Sequence, residues 1–182
     1  MEEMLTAKDV AELLQMHITT VYRLAEQGQL PGFKVGKQWR FRKSALLEWS
    51  SAQEPGRRPR VLVVDDEPGV LSLFAEALRP MKVQTTLAAN AGEGLAASQQ
   101  ERFDVIFVDL KLPDMNGVEL MKRLKTTQPA SRMVVMTGYP NDPLVAEAAR
   151  LEPVTILFKP FDVDAIIKAG NLQVGRPAGT AG

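Results

Sequence analysis

Acidic side chains follow directly after an apolar run in residues 61–69, VLVVDDEPG. Valine and leucine followed by carboxylates are typical of a buried strand that ends at a polar edge. Other apolar runs end in a similar way: Asp109 closes DVIFVD, Thr137 closes MVVMT, and Lys159 follows TILF. Carboxylates, a hydroxyl and an ammonium therefore stand at the ends of separate predicted strands.

These residue types suit a phosphoryl group and a metal ion, provided that they meet in space. Clustered carboxylates repel one another, which raises their pKa values. A hard divalent cation relieves this repulsion, and Mg²⁺ prefers carboxylates together with phosphoryl oxygens. The cation and Lys159 could then neutralise a phosphoryl group in transfer to a carboxylate. A structural alternative stays open, because Asp65 and Asp66 precede a helix and aspartate favours helix N-caps.

Strand and helix patterns alternate five times after residue 59. The predicted strands are 61–64, 83–87, 105–108, 133–136 and 154–158, and the predicted helices are 69–78, 91–100, 118–125, 143–150 and 163–169. Such alternation predicts a parallel sheet covered by helices on both faces. Ligand chemistry in such a sheet lies at the carboxyl ends of the strands, where the polar residues stand.

Composition limits the class of protein. The chain has 182 residues, 45% of them apolar, with 22 basic and 22 acidic residues and no cysteine. No apolar run approaches the roughly 18 residues of a membrane span, the N-terminus lacks an apolar signal region, and disulfides and thiolate metal sites are excluded. We therefore expect a soluble cytoplasmic protein without a membrane partner.

The segment QEPGRRP divides the chain, because its two prolines and its glycine cannot continue a helix or a central strand. We expect one domain at residues 1–52, a linker at 53–59, a second domain at 60–170 and a flexible tail at 171–182. In the first domain, Thr6 and Asp9 form a capping-box pair before a helix. A second helix runs from about residue 18 to Gly28, a hairpin turns at residues 36–37, and Ser44 caps a third helix.

Residues 60–170 resemble the receiver domain of two-component response regulators. The resemblance rests on VVDDE, VDLKLPDMNG, MTG and FKPF, which occur in this order. It implies a flavodoxin-like (βα)5 fold in which Asp109 accepts a phosphoryl group from a histidine kinase or a phosphotransfer protein. Such a domain modifies only itself, so we expect no metabolic enzyme.

The same resemblance assigns the other residues of the site. Mg²⁺ is the implied cofactor, with Asp66 and Asp109 as direct ligands, Asp65 bound through water, and the backbone carbonyl of Lys111 as a further ligand. Thr137 and Lys159 are implied to contact the phosphoryl oxygens. The bond between Lys159 and Pro160 is implied to be cis, which proline permits at low cost.

Residues 4–51 resemble the winged helix-turn-helix domain of the MerR and excisionase families. The resemblance rests on LTAKDVAELLQM, on TTVYRLAEQGQLPGFKVGKQWRF and on the apolar helix that follows. In such domains the second helix enters the major groove of DNA, and the hairpin, or wing, touches the backbone or the minor groove. Residues 19–43 carry a net charge of +5, which suits DNA but is also compatible with an ordinary solvated face.

Helical spacing turns Val21, Leu24 and Ala25 of the second helix toward the core. The candidate DNA contacts are Thr19, Thr20, Tyr22 and Arg23 on this helix and Lys34, Lys37, Arg40 and Arg42 in the hairpin. Arg23 is the candidate for a guanine edge, because its guanidinium can bond O6 and N7 together.

Phosphate contacts are expected from the hairpin. We expect Lys34, Arg40 and Arg42 to share the face opposite Val35, Trp39 and Phe41. Trp39 itself is expected in the core of the wing.

The two resemblances together indicate a response regulator whose DNA reader precedes its receiver. Phosphorylation of Asp109 would change DNA affinity or the oligomeric state, and a homodimer is one arrangement through which the change could act. Two alternatives stay open. The winged domain could bind a protein partner instead of DNA, or the receiver could serve as a phosphate sink that drains a kinase.

Overall fold

The computed structural model describes residues 3–52, 57–151 and 154–172. In its first part the elements are β1 Met4–Thr6, α1 Ala7–Leu13, α2 Ile18–Glu26, β2 Phe33–Val35, β3 Gln38–Arg42 and α3 Lys43–Ala52. The strands form an antiparallel sheet in the order β1-β3-β2. Both hydrogen bonds of the predicted capping box are present between Thr6 and Asp9. The third helix begins at Lys43, one residue before the predicted cap Ser44.

The inner face of α2 anchors the core of this first domain. Val21 and Ala25 are fully buried, and Leu24 is half-buried against the same cluster. Trp39 is 6% exposed and packs in this cluster too, which confirms its predicted place in the core. The outer face of α2 is therefore held at the surface by the packing of its inner face.

The structure corrects the predicted faces of the hairpin. A two-residue turn joins β2 to β3, so Lys34 is paired with Trp39. Paired residues of antiparallel strands share a face, and Nζ of Lys34 accordingly lies 5.2 Å from the centroid of the Trp39 ring. Arg40 and Arg42 lie on the other face, together with Val35. The predicted grouping of Lys34 with the two arginines, opposite Val35, is wrong.

The second part of the chain is a five-stranded parallel sheet with helices on both faces. Its elements are β4 Arg60–Val64, α4 Pro68–Leu78, a 3-10 turn Arg79–Met81, β5 Gln84–Ala88, α5 Ala91–Gln100, β6 Val105–Asp109, α6 Gly117–Thr127, β7 Arg132–Thr137, α7 Pro143–Ala149, β8 Val154–Phe158 and α8 Val163–Gly170. The strand order is β5-β4-β6-β7-β8, with every pair parallel. The predicted flavodoxin-like fold is confirmed.

Successive side chains of the strands point to opposite faces of the sheet, and they form one hydrophobic core on each face. Val61 and Phe107 pack against Phe74 of α4 and against α8. Leu62 and Val108 pack on the opposite face, against α5, α6 and α7. Because both faces are buried, the central strands β4 and β6 are apolar along almost their whole length, and polar side chains follow at their carboxyl ends.

No helix within the described ranges is both long enough and apolar enough to cross a membrane. Residues 53–56 of the predicted linker and all but two residues of the predicted tail lie outside the described residues.

Candidate functional site

The carboxyl ends of β4, β6 and β8 bring three predicted residues together. Asp65 follows β4 and is fully buried, Asp109 closes β6 and is 6% exposed, and Lys159 follows β8. Nζ of Lys159 lies 2.8 Å from Oδ2 of Asp65 and 2.7 Å from Oδ2 of Asp109. The convergence predicted from the strand ends is thus confirmed for these three side chains.

Glu67 also reaches Lys159, and the sequence had assigned it no role. Its Oε1 lies 2.7 Å from Nζ of Lys159. Asp66 lies between Asp65 and Glu67 at a bend where the chain leaves β4 and turns into α4, and both Asp66 and Glu67 are exposed. The direction of Glu67 depends on this turn, which VVDDE by itself does not predict.

Burial and the ion pairs together shift the pKa values of the site. Burial lowers the pKa of Lys159, but its close contacts with the carboxylates of Asp109, Asp65 and Glu67 outweigh burial, and the net shift is upward. Burial raises the pKa of Asp65 to about 6, although Lys159 and the backbone N–H of Glu67 oppose this shift. Lys159 therefore stays charged at neutral pH. Burial destabilises the ionised form of Asp65 at the same pH.

The carboxylates fit a divalent cation. Ligand oxygens of Asp65, Glu67 and Asp109 all lie within 4.8 Å of one another. Oδ2 of Asp65 is buried and accepts no hydrogen bond; its 2.8 Å contact with Lys159 is an ion pair without hydrogen-bond geometry. A buried carboxylate oxygen without a donor suits a hard cation or a water that the cation binds. The direct ligation predicted for Asp66 stays a prediction.

The loop after β6 fixes Asp109 from the other side. The backbone N–H of Lys111 donates to Oδ1 of Asp109 at 2.9 Å, and Asn116 caps α6 by accepting from the N–H of Glu119 at 2.9 Å. Lys111 and Asn116 also form a β-bridge, which closes the loop. Asp109 thus offers Oδ2 to Lys159 and Oδ1 to the loop. The role predicted for the Lys111 carbonyl stays a prediction.

Thr137 stands at the same edge but faces the following residues. Its hydroxyl accepts from the N–H of Tyr139 at 3.0 Å. Nζ of Lys111 lies 3.9 Å from the centroid of the Tyr139 ring and 3.1 Å from Oδ2 of Asp142, so the Lys111 side chain links the loop after β6 to the loop after β7. The contact of Thr137 with a phosphoryl group stays a prediction. The bond between Lys159 and Pro160 is cis, as predicted.

Asp65→Asn is expected to stabilise the fold at neutral pH. The pKa of about 6 in the folded protein lies above the ordinary aspartate pKa of 3.8, so the wild type loses stability as pH rises between these values and stays at the lower level above them. Asparagine is neutral at every pH, so the gain should be on the order of 2 kcal/mol at about pH 7.5 and vanish below about pH 4. Chemical denaturation at both pH values measures it, and a gain that does not depend on pH would contradict the buried-charge explanation.

The candidate DNA contacts are distributed over α2 and the hairpin. On α2, Tyr22 is 41% exposed, Thr19 and Arg23 are exposed, and Thr20 is half-buried. A guanidinium nitrogen of Arg23 lies 3.3 Å from Oε1 of Gln27, to which it donates. The outward face of α2 is therefore available, as the sequence predicted.

The hairpin candidates lie on both of its faces. Lys34 lies over Trp39, and Arg42 lies over the ring of Phe33 at 5.8 Å on the other face. Arg40 donates to Oε1 of Gln38 at 2.6 Å, and Lys37 is exposed at the turn. The hairpin presents positive charge along its length rather than on a single face.

Comparison with known proteins identifies both parts of the chain. The model of the response regulator receiver domain matches residues 61–171, and that of a helix-turn-helix domain matches residues 4–53. Sporulation initiation phosphotransferase F of Bacillus subtilis is 36% identical over 107 residues, which are 59% of this chain and 86% of that protein. Transcriptional regulatory protein FixJ of Azorhizobium caulinodans is 34% identical over 118 residues, 65% of this chain and 56% of FixJ. The match to transcriptional regulatory protein GlrR of Escherichia coli covers 27% of GlrR.

Solved structures agree with the second part of the chain. A response regulator from Burkholderia pseudomallei, solved with a phosphorylated aspartic acid, a calcium ion and citrate, is 31% identical with a TM-score of 0.58 and covers 63% of this chain and 66% of that one. Chemotaxis protein CheY4 of Vibrio cholerae is 26% identical with a TM-score of 0.57 and covers 62% of this chain and 95% of that one. The family model, these structures and the residues at the carboxyl edge agree, and the chain belongs to the response regulator receiver family, with a helix-turn-helix domain in front of its receiver.

Proposed function

We propose that phosphoryl transfer to Asp109 controls DNA binding by the helix-turn-helix domain. The observation that supports this most is the meeting of Asp65, Asp109 and Lys159 at the carboxyl edge, with Nζ of Lys159 2.7 Å from Oδ2 of Asp109. A nucleophilic carboxylate beside a fixed cation is what a receiver needs to accept a phosphoryl group.

The chemistry follows from these positions. A carboxylate oxygen of Asp109 attacks the phosphorus of a phosphohistidine on a sensor kinase or a phosphotransfer protein. The O–P bond forms as the N–P bond breaks, and the histidine nitrogen keeps the electron pair and takes a proton from solvent. Lys159 then pairs with the phosphoryl oxygens instead of the carboxylate. Attack of water on the phosphorus later restores Asp109, so the site switches without turning over a metabolite.

Mg²⁺ is the proposed cofactor, held by Asp65 and Asp109 together with Glu67 or the predicted ligand Asp66. When bound, it supplies further positive charge beside the phosphoryl oxygens. The Burkholderia relative, solved with a phosphorylated aspartic acid and a calcium ion, supports the pairing of a divalent cation with such a site.

The winged domain is the proposed output. Its exposed α2 face and its basic hairpin suit the major groove and the phosphates respectively. FixJ, by its name a transcriptional regulatory protein, supports an output at DNA. Two chains on one site would strengthen binding that a single small domain makes weakly, so a homodimer on DNA belongs to the proposal.

Fluorescence anisotropy with genomic DNA fragments, including the gene's own upstream region, tests this function. The protein is titrated at about 50 mM and about 200 mM salt, with and without a small phosphodonor and Mg²⁺. Binding should weaken by orders of magnitude at the higher salt if several phosphates are contacted, and the phosphodonor should change the affinity. Absence of binding at both salts favours a protein-interaction module. Binding that ignores the phosphodonor and Asp109→Asn favours a phosphate sink.

Arg23→Ala is expected to weaken binding to the true operator by roughly 1–3 kcal/mol, because a bidentate contact to guanine is lost. Binding to unrelated DNA should change less, so discrimination falls. Lys37→Ala is the matched comparison: as a phosphate contact it should weaken both complexes alike and reduce the salt slope by about one. An operator affinity that survives Arg23→Ala would show that α2 does not read the base.

A further inference from the structure

One arginine of the receiver joins the two domains. Arg132 begins β7, and its guanidinium donates to the carbonyl of Gln27 in the winged domain at 2.8 Å. It also donates to the carbonyl of Ala169 at 2.8 Å and to the hydroxyl of Thr155 at 2.9 Å. Gln27 is the C-cap of α2 and Ala169 lies in the last turn of α8. The cation thus lies at the negative ends of two helix dipoles, one from each domain.

Further contacts surround this arginine. Arg102 of the receiver lies 3.7 Å from Glu48 of α3, an exposed pair of small individual strength. Arg57, the first described residue after the linker gap, pairs with Asp104 at 2.6 Å. A cavity of about 350 Å³ remains between the domains, lined by Trp49 as well as by these arginines. The amino-terminal edge of the receiver sheet therefore faces the winged domain.

The wing lies beside the same edge. Lys34 lines a cleft whose other wall contains Arg132 and Thr155. Arg42 lines a second cleft together with Lys125. Lys34 and Arg42 are both candidates for phosphate contacts, so a duplex that reaches them needs the space that the receiver occupies.

We propose that the amino-terminal edge of the receiver sheet is a docking surface for the chain's own wing, held by Arg132, and that DNA competes with this edge for the wing. The proposal rests on the proposed DNA-binding function and names the surface that regulates it. A ligand shifts a two-state equilibrium only through a surface that differs between the states, and this interface is such a surface.

The strands connect the docking surface to the phosphorylation site. Strand β7 begins at Arg132 and ends at Thr137. Strand β8 carries Thr155, a partner of Arg132, and leads into Lys159. A shift of these strands when Asp109 is phosphorylated therefore moves the side chains that hold α2.

Small-angle X-ray scattering of the full-length protein without DNA tests the docking. Arg132→Ala should increase the radius of gyration, and it should tighten DNA binding of the unphosphorylated protein on the order of tenfold, because a charge-assisted hydrogen bond between the domains is lost. Arg123→Ala is the matched control, since Arg123 pairs with Glu119 within α6, and it should change neither quantity.

A second variant avoids the contacts that Arg132 makes inside the receiver. Glu48→Arg places a positive charge against Arg102 and should open the domains, with a gain in DNA affinity of about twofold to fivefold, the scale of an exposed ion pair. Adding Arg102→Glu should restore the wild-type radius. If the radius is the same in the wild type, Arg132→Ala and Glu48→Arg, the docking surface is overturned even where DNA binds. If the radius responds but no DNA binds in any state, docking holds and the proposed function fails.

Discussion

Asp109→Ala is expected to abolish incorporation of phosphate from a small phosphodonor in the presence of Mg²⁺. Asp109 is the carboxylate whose two oxygens contact Lys159 and the loop N–H of Lys111, at 2.7 and 2.9 Å. Alanine removes the nucleophile while leaving Asp65, Glu67 and Lys159 in place. Intact-mass spectrometry measures the phosphorylated fraction, which should fall from a substantial fraction to below detection.

Two companion variants make this result specific. Asp109→Asn keeps the size of the side chain and an acceptor for the N–H of Lys111. If this variant is not labelled, phosphoryl transfer requires the ionised carboxylate and not merely a side chain of the same shape. Asp164→Asn removes an exposed carboxylate from the first turn of α8 and should label like the wild type. Undiminished labelling of Asp109→Ala would place the acceptor elsewhere, with the exposed Asp66 and Glu67 as the first residues to examine.

The sequence predicts the part of this site that depends on strand ends. A buried parallel strand is apolar along its length, so the first polar residue after it lies at the carboxyl edge whatever the rest of the fold does. This is why Asp65, Asp109 and Lys159 were found together. Glu67 lies beyond the strand, where its direction depends on how the chain turns into α4, and VVDDE by itself did not show that Glu67, rather than Asp66, would face Lys159.

The hairpin shows a different kind of error, which the sequence could have prevented. In a two-residue turn, the residues on either side pair with one another, and the pairing of every other residue follows. Counting outward from Gly36 and Lys37 pairs Lys34 with Trp39. Residue type alone therefore does not predict which charged residues of the hairpin share a face.

The contact between the domains has no local sequence pattern. Arg132 and Gln27 are 105 residues apart, and neither helical nor strand periodicity relates them. Arg132 resembles any polar residue at the start of a buried strand. Its partners become visible only when the ends of α2 and α8 are placed in space, so a regulatory surface of this kind needs a structure to be found.

Gly117→Ala should have the largest effect on stability of the substitutions considered, about 3 kcal/mol in the free energy of unfolding, at the upper end of the usual cost of overpacking. A Cβ at this position would fall on the carbonyl oxygen of Asp109 and lie 2.7 Å from Cα of Leu110. These are backbone atoms, so no side-chain rotation can relieve the contact. The end of β6 or the start of α6 must move.

The same displacement reaches the chemistry, because the backbone that Gly117 touches belongs to Asp109. The N–H of Gly117 also donates to the carbonyl of Leu110 at 2.9 Å, which holds the start of α6 against the strand end. Gly117→Ala should therefore slow labelling by a phosphodonor even at temperatures where the protein is folded. Gly69→Ala is the matched control: Gly69 lies in α4 with nothing within 4 Å of the added Cβ, so alanine should be neutral or stabilise by up to about 1 kcal/mol. The test compares the denaturant midpoints and the phosphodonor labelling rates of Gly117→Ala and Gly69→Ala. If both quantities are the same in the two variants, close packing of α6 on the end of β6 does not position Asp109.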